Sequence, residues 1–343
     1  MEKHNMAKYV EENIDKACEN GWIQPFYQPV IRTITGQLCS AESLARWIDP
    51  EFGMIPPIDF IKPLEDTWQI SKLDCYLVDR VCHDIGDRMK ANKPVVAVSV
   101  NFSRQDFQTC DMLEVTEAAV RKYDIPRDML HIEITESMIS SDEELMKRVI
   151  NDFKARGYQI WMDDFGSEYS SLNILKDYSF DVLKLDMRFL SSFTDKSKAI
   201  VRAAINMAKD IDMGTLAEGV ETQEQMYFLK DLGCELIQGY LIGRPMPFDE
   251  AVSSLDKARM KYELKEERIF LDTVGKIDVL RQNPLEGDTK DLLSDSLPLA
   301  IGIVTDGIWH FVYVNDGYKK EIRVHGDAPV TIVEEMINDD DWH

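Results

Sequence analysis

A chain of 343 residues that is 44% hydrophobic and 29% charged has the composition of a globular protein, with room for one large domain and a smaller one. A formal net charge of −23 excludes general affinity for duplex nucleic acid, although carboxylates that hold Mg²⁺ or Mn²⁺ can turn an acidic pocket into a phosphate site. Six scattered cysteines without a CxxC pair argue against zinc and disulfide frameworks and fit a reducing cytoplasm, and no window approaches the roughly 18 apolar residues of a membrane span.

The polar opening, residues 1–23, has a helical pattern and lacks an apolar signal core. Strand-like runs then follow at PFYQPVI (25–31) and LCSAESLARW (38–47). A helix is predicted over 71–91, where Leu73, Leu77, Val78, Val81 and Ile85 recur at helical spacing. VVAVSVNFS (95–103) and MLHIEIT (129–135) read as strands. The helix over 141–157 starts on Ser141-Asp142 and stops on Arg156-Gly157. Beyond it come the strands QIWMDDF (159–165) and DVLKLD (181–186), a helix over 199–214, the strand GTLAEGV (214–220), a helix over 223–233 and the strand LIQGYLI (236–242). This alternation implies a parallel sheet with helices outside it, and eight strand candidates match an α/β barrel in number. An open doubly wound sheet is the alternative on periodicity alone, but no GxGxxG follows the first strand.

After Pro247 the pattern changes to charged helix, then to the turn-rich NPLEGDT, then to two strand-like runs split by the hairpin signal Asp306-Gly307. The division expected is an N-terminal helix (1–23), a barrel (24–258), a helical linker (259–290) and a small partial α+β module (291–343).

Chemistry-bearing residues fall in strand after strand. Glu42 lies in the second run and Asn101 ends VVAVSVN; Glu133 lies in HIEIT, and Asp163 and Asp164 stand in QIWMDD. Lys184 follows in VLKLD, Glu218 in LAEGV and Gln238 in LIQGY. Taken singly, Glu133 reads as a salt-bridged carboxylate, the aspartate pair as a helix cap, Lys184 as a lysine reaching outward and Asn101 as a turn residue. Together they imply a shared site, because charge in apolar strands is costly unless paired or bound to a cation. In a barrel of this kind such residues gather at the C-terminal ends of the strands. Hard oxygen donors favour Mg²⁺ or Mn²⁺, and adjacent aspartates suit two metals about 3.5–4 Å apart, a device for phosphodiester cleavage.

The successive motifs AESLARW, VSVNFS, EITES, DDFGSEYSSL, LKLD, AEGVET and QGYLIGRPMP resemble those of the EAL family of cyclic di-GMP phosphodiesterases over about residues 26–247. The resemblance implies a TIM-like (β/α)8 barrel with a modified first strand. It implies a first metal held by Glu42, Asn101, Glu133 and Asp163, and a second by Asp163 and Asp164. Lys184 and Glu218 would position and deprotonate the attacking water, and Gln238 would bond within the same site. Arg46 would grip a substrate phosphate, and Gln28 and Leu44 would line the guanine and ribose side. Glu136 would hold the DDFG loop, and the product would be linear pGpG. A homodimer and flanking cyclase or sensor modules are also implied, and LPLAIGIVTDGIWHFVYVNDGY resembles the opening of a PAS sensor domain. Two departures stand out. Ser43 replaces the central alanine of the signature, and Glu168 replaces the usual glycine of the loop, a site where a cyclic di-GMP receptor without turnover is the alternative expectation.

Overall fold

Ten strands form one continuous sheet in the computed structural model, which describes residues 3–166, 171–276, 300–305, 308–314 and 318. They are β1 (Ile23–Arg32), β2 (Leu38–Asp49), β3 (Gly53–Ile55), β4 (Ala97–Asn101), β5 (Leu130–Thr135), β6 (Gln159–Phe165), β7 (Val182–Leu185), β8 (Gly214–Ala217), β9 (Leu236–Gln238) and β10 (Met246–Pro247). The order is β10-β1-β9-β8-β7-β6-β5-β4-β2-β3, and a further β1–β2 pairing closes β1, β2 and β4 to β9 into an eight-stranded barrel. Neighbours from β2 through β9 run parallel, whereas β1 runs antiparallel to both β2 and β9. The reason is local. Residues 33–37 alone join β1 to β2, and a parallel crossover needs a dozen residues or more, so the pair must be a hairpin. The TIM-like barrel with a modified first strand is therefore the observed fold, and the open-sheet alternative falls with the closure.

The helices follow their capping residues. The helix Glu143–Arg156 begins at Asp142, whose side chain accepts from the Leu145 amide at 3.1 Å, and ends at Gly157 in the left-handed region. Sequence periodicity starts the next long helix at residue 199, but it runs Asp195–Asp210, because Thr194 and Ser197 form a capping box that periodicity does not register. Several elements were not anticipated, among them β3, the helix Met112–Tyr123 and the helix Pro57–Asp66, which Pro57 opens at its first turn. Several strands are shorter than their apolar runs, and for β8 and β9 glycine explains the stop. A Cβ on Gly219, at φ +68°, would stand 2.4 Å from Met187 Cβ, and one on Gly239 would stand 2.2 Å from the Val220 backbone. The chain thus turns sharply out of the barrel just after Glu218 and Gln238.

Most apolar side chains pack between the sheet and its surrounding helices. A second cluster joins Val10, Ile14 and Ala17 of the helix Lys3–Glu19 to Trp47, Phe60 and Leu64, each buried aliphatic contributing about 1.5–3 kcal/mol. Inside the barrel Val30, Cys39, Trp161, Val182, Leu216 and Leu236 form a small apolar plug. Below it, the helix Lys265–Lys276 reaches the closed end of the barrel, where buried Arg32 bonds Glu263 at 2.8 and 2.9 Å and Asp272 at 2.7 Å. Strands β11 (Ala300–Thr305) and β12 (Ile308–Val314) pair antiparallel on either side of the expected hairpin turn. Glu168 and most of residues 291–343 lie outside the described residues, and no described helix is long and apolar enough to cross a membrane.

Candidate active site

Side chains alternate along a strand, so a residue two places beyond a plug residue faces the same interior. Trp161 leads to Asp163, Val182 to Lys184, Leu216 to Glu218 and Leu236 to Gln238. In β5, His131 packs against Trp161 with ring centroids 4.6 Å apart and the planes tilted by 34°, and it leads to Glu133. On antiparallel β1 the order reverses, and Gln28 precedes Val30. A polar layer therefore sits directly on the apolar plug, at the C-terminal ends of the parallel strands.

Lys184 is the centre of that layer. Its ammonium is 1% exposed and lies 2.6 Å from Glu133, 2.8 Å from Glu218, 3.0 Å from Asp163 and 3.8 Å from Glu42. The Asn101 amide donates to Glu42 Oε1 at 2.9 Å, and Gln238 donates to Glu42 Oε2 at 2.6 Å and to Gln28 Oε1 at 3.1 Å. Gln28 in turn donates to the Gly243 carbonyl. Eight of the twelve residues singled out in the sequence thus form one network, with Gln28 tied into its side.

Asp164 joins them through a backbone irregularity. Consecutive strand residues normally face opposite ways, yet the β6–β7 register shifts between Met162 and Phe165, and Asp164 is left-handed at φ 57°. Aspartate tolerates that conformation better than most residues. The bulge brings both aspartates to a cleft of about 590 Å³ that also touches Leu44, Asn101 and Ser103. Glu136 is fully buried at the start of the helix that follows β5. Arg46 stands apart from the network: it is half-buried, its guanidinium lies over Phe26 at 5.7 Å, and it donates to the Ala45 carbonyl.

The electrostatics follow from crowding. Burial pushes the Glu133 carboxyl well above its usual range, against the opposing pull of Lys184. Burial, then Asp163 and Asp186, raise Asp164 to about 6, and burial raises Glu218 to about 7. Lys184 is itself held well above its ordinary value, because Asp163, Glu133, Glu218 and Glu42 outweigh its loss of water.

Asp186 was passed over in the sequence. It hydrogen-bonds Asp164 and holds Arg188 through paired bonds of 2.9 Å. Its signal was available, since it stands two residues beyond Lys184 at the end of the same run. The cleft wall residue Asp74 had none, lying on a helix whose apolar spacing announces only packing.

Among the described residues no three His, Cys, Asp or Glu side chains already surround a common point as metal ligands, since the acids converge on the ammonium instead. The donor set nonetheless fits divalent cations. Five carboxylates, Glu42, Glu133, Asp163, Asp164 and Glu218, share this mouth with the one lysine, and among the described residues Glu133 Oε1 and Gln238 Oε1 are buried without a hydrogen-bond partner.

A family model described as "EAL domain" matches residues 11–245. The cyclic di-GMP phosphodiesterase PdeR of Escherichia coli is 32% identical over 241 residues, 70% of this chain and 36% of that protein. The bifunctional diguanylate cyclase/cyclic di-GMP phosphodiesterase MucR of Pseudomonas aeruginosa is 30% identical over 245 residues, 71% of this chain and 36% of that one. The solved structure titled PaMucR phosphodiesterase, c-di-GMP complex, superposes with a TM-score of 0.67 at 29% identity, over 71% of this chain and 99% of that one. The match spans about a third of the length of these curated relatives. With the motifs in order along the strands, the barrel closed by an antiparallel first strand and the family model covering most of its length, the chain belongs to the EAL domain family.

Proposed function

We propose that the barrel hydrolyses cyclic di-GMP to linear pGpG. The observation that carries this reading is the gathering of four carboxylates around one buried lysine at the barrel mouth, with Asp164 beside them in the cleft, in a chain similar to named cyclic di-GMP phosphodiesterases. Glu42, Asn101, Glu133, Asp163 and Asp164 would hold Mg²⁺ or Mn²⁺ as a pair, supplying Lewis-acid polarisation of the phosphate and an acidified water. Lys184 Nζ would hold the attacking water against the phosphorus. Glu218, raised to about 7, is suited to take the water's proton on its carboxylate near neutral pH. Water oxygen bonds to phosphorus, the P–O3′ bond breaks, and the freed 3′ oxygen takes a proton from solvent.

Gln238 would keep Glu42 facing the reacting phosphate, and Glu136 would support the loop after β6. Arg46, whose planar fork matches phosphate oxygens, would grip the second phosphate, with Gln28 and Leu44 on the guanine and ribose side. In this reading residues 24–258 carry the chemistry, a second copy of the chain is the partner, and residues 259–290 connect to a sensor module of PAS type beginning at 291. The location is cytoplasmic.

The test is to incubate the purified chain with cyclic di-GMP and Mn²⁺ and to separate the nucleotides over time. Linear pGpG should accumulate, and both a chelator and Glu42→Ala should lower its rate by about 10²-fold or more. Cyclic di-GMP recovered intact from a tight complex would replace hydrolysis with the receptor role, and Glu168→Gly would then be the variant to examine.

A further inference from the structure

Away from the carboxylates, three sulfur atoms form a closed triangle. Cys75 Sγ lies 3.9 Å from Cys110 Sγ and 3.8 Å from Met112 Sδ, and Cys110 Sγ lies 3.4 Å from Met112 Sδ. Cys75 stands on the helix Ile70–Lys90, Cys110 closes the short helix Asp106–Thr109, and Met112 opens the helix Met112–Tyr123. Two stretches of chain, the helix Ile70–Lys90 and the junction 110–112, therefore bring three soft atoms to a common point. Met112 is buried and the two thiols are partly buried, so the triangle is sheltered without being sealed.

Its dimensions suit a metal. With metal–thiolate bonds of about 2.3 Å, three sulfurs in a trigonal plane stand about 4.0 Å apart. The observed edges of 3.4–3.9 Å are within a few tenths of an ångström of that for two of the three sides. Two thiols and a thioether form a soft donor set, beside which the Asp106 carbonyl accepts from Cys110 Sγ at 3.3 Å, and sulfur donors select Cu(I) over the hard cations that suit the barrel mouth. We propose that Cys75, Cys110 and Met112 form a binding site for a soft monovalent cation of the Cu(I) class.

Binding is written without any change of oxidation state. The two S–H bonds break, both protons go to solvent, and Cu(I) accepts electron pairs from two thiolates and one thioether. Because the metal displaces both protons as it binds, the site requires no standing thiolate beforehand. An occupied site would also tie the helix Ile70–Lys90, whose Asp74 lines the cleft, to the segment that follows β4.

The test uses the full chain, reduced and free of oxygen, titrated with Cu(I) against the chromogenic chelator bicinchoninate. One Cu(I) per chain should leave the chelator, and X-ray absorption should show sulfur neighbours alone at about 2.3 Å. Cys75→Ser and Cys110→Ser should each weaken uptake by roughly 10–100-fold or more, the range that even a ligand's supporting partners carry. Met112→Leu keeps the packing volume and should also weaken it, while Cys18→Ser should leave it unchanged. Failure to draw Cu(I) from the chelator, uptake indifferent to all three site variants, or equally tight binding of Zn²⁺ would each overturn the assignment.

Discussion

Lys184 shows how one residue can organise a site. A buried ammonium is tolerated only because carboxylates replace the water it lost, and here Glu133, Glu218 and Asp163 all lie within 3.0 Å. The dependence is mutual, since Glu133 is as deeply buried and is bonded by Lys184. Lys184→Met should destabilise the chelator-treated protein by about 3–5 kcal/mol, the usual result of leaving a buried charge unpaired. Mn²⁺ should then raise the melting temperature of the variant more than that of the parent chain, because a cation bound only by the folded state is stabilising. Calorimetry with and without Mn²⁺ checks both parts, and a melting temperature indifferent to Mn²⁺ in both proteins would contradict the fit of these acids to divalent cations. At this scale the sequence was informative wherever a charge interrupted an apolar strand. Asp164 was legible as a residue, but its conformation was not, because a strand bulge depends on how β6 registers with β7.

Among the elements, those on the outside of the barrel are joined by few but specific contacts. Glu117, on the helix Met112–Tyr123, is 1% exposed and receives Arg127 at 2.6 and 2.8 Å, Tyr158 at 2.7 Å and Arg156 at 3.4 Å. One acid thus links that helix to the turn before β5 and to the junction between the helix Glu143–Arg156 and β6. Hydrogen bonds from Arg127, outweighing burial, hold Glu117 down at about 2 against its ordinary 4.5. A depressed carboxylate adds stability that is fully present above its unfolded value and is lost as pH falls through the folded one. The contribution should therefore drain away between about pH 4.5 and about pH 2. Urea unfolding of Glu117→Gln should show a flatter loss of stability across that window and lower stability at neutral pH. A variant whose pH profile runs parallel to that of the parent would show that Glu117 contributes no such linkage. Capping residues made the helix Glu143–Arg156 readable from sequence, whereas the start of the helix Asp195–Asp210 depended on a side-chain exchange between Thr194 and Ser197.

For the molecule as a whole, both ends of the barrel set one buried cation against several acids: Lys184 at the mouth, and at the base Arg32, 3% exposed, against Glu263, Asp272 and Glu235. Two of those acids belong to the segment after the barrel's last strand, and a bridge between Leu38 and Tyr262 extends the contact. Arg32→Met would leave Glu263 buried without its fork, and equilibrium unfolding should show a loss of about 3–5 kcal/mol. Limited proteolysis of that variant should cut first within 259–276, and unchanged stability and cleavage would mean that the base is not held by this cluster.

Much of this protein was determined by its sequence alone. The alternation of strands and helices follows from periodicity, the residues at the mouth from the expense of placing charge in apolar strands, and the barrel was expected from the number of strands and the family resemblance, since periodicity alone left an open sheet possible. Tertiary structure decided what depends on partners distant in the chain. It set the closure of β1 against β9, the bulge that turns Asp163 and Asp164 to one side, the pairing of Asp164 with Asp186 and the seating of Glu263 on Arg32. The reason is physical: local propensity acts over a few neighbouring residues, whereas register, closure and ion pairing are settled only when strands far apart in sequence share one interior.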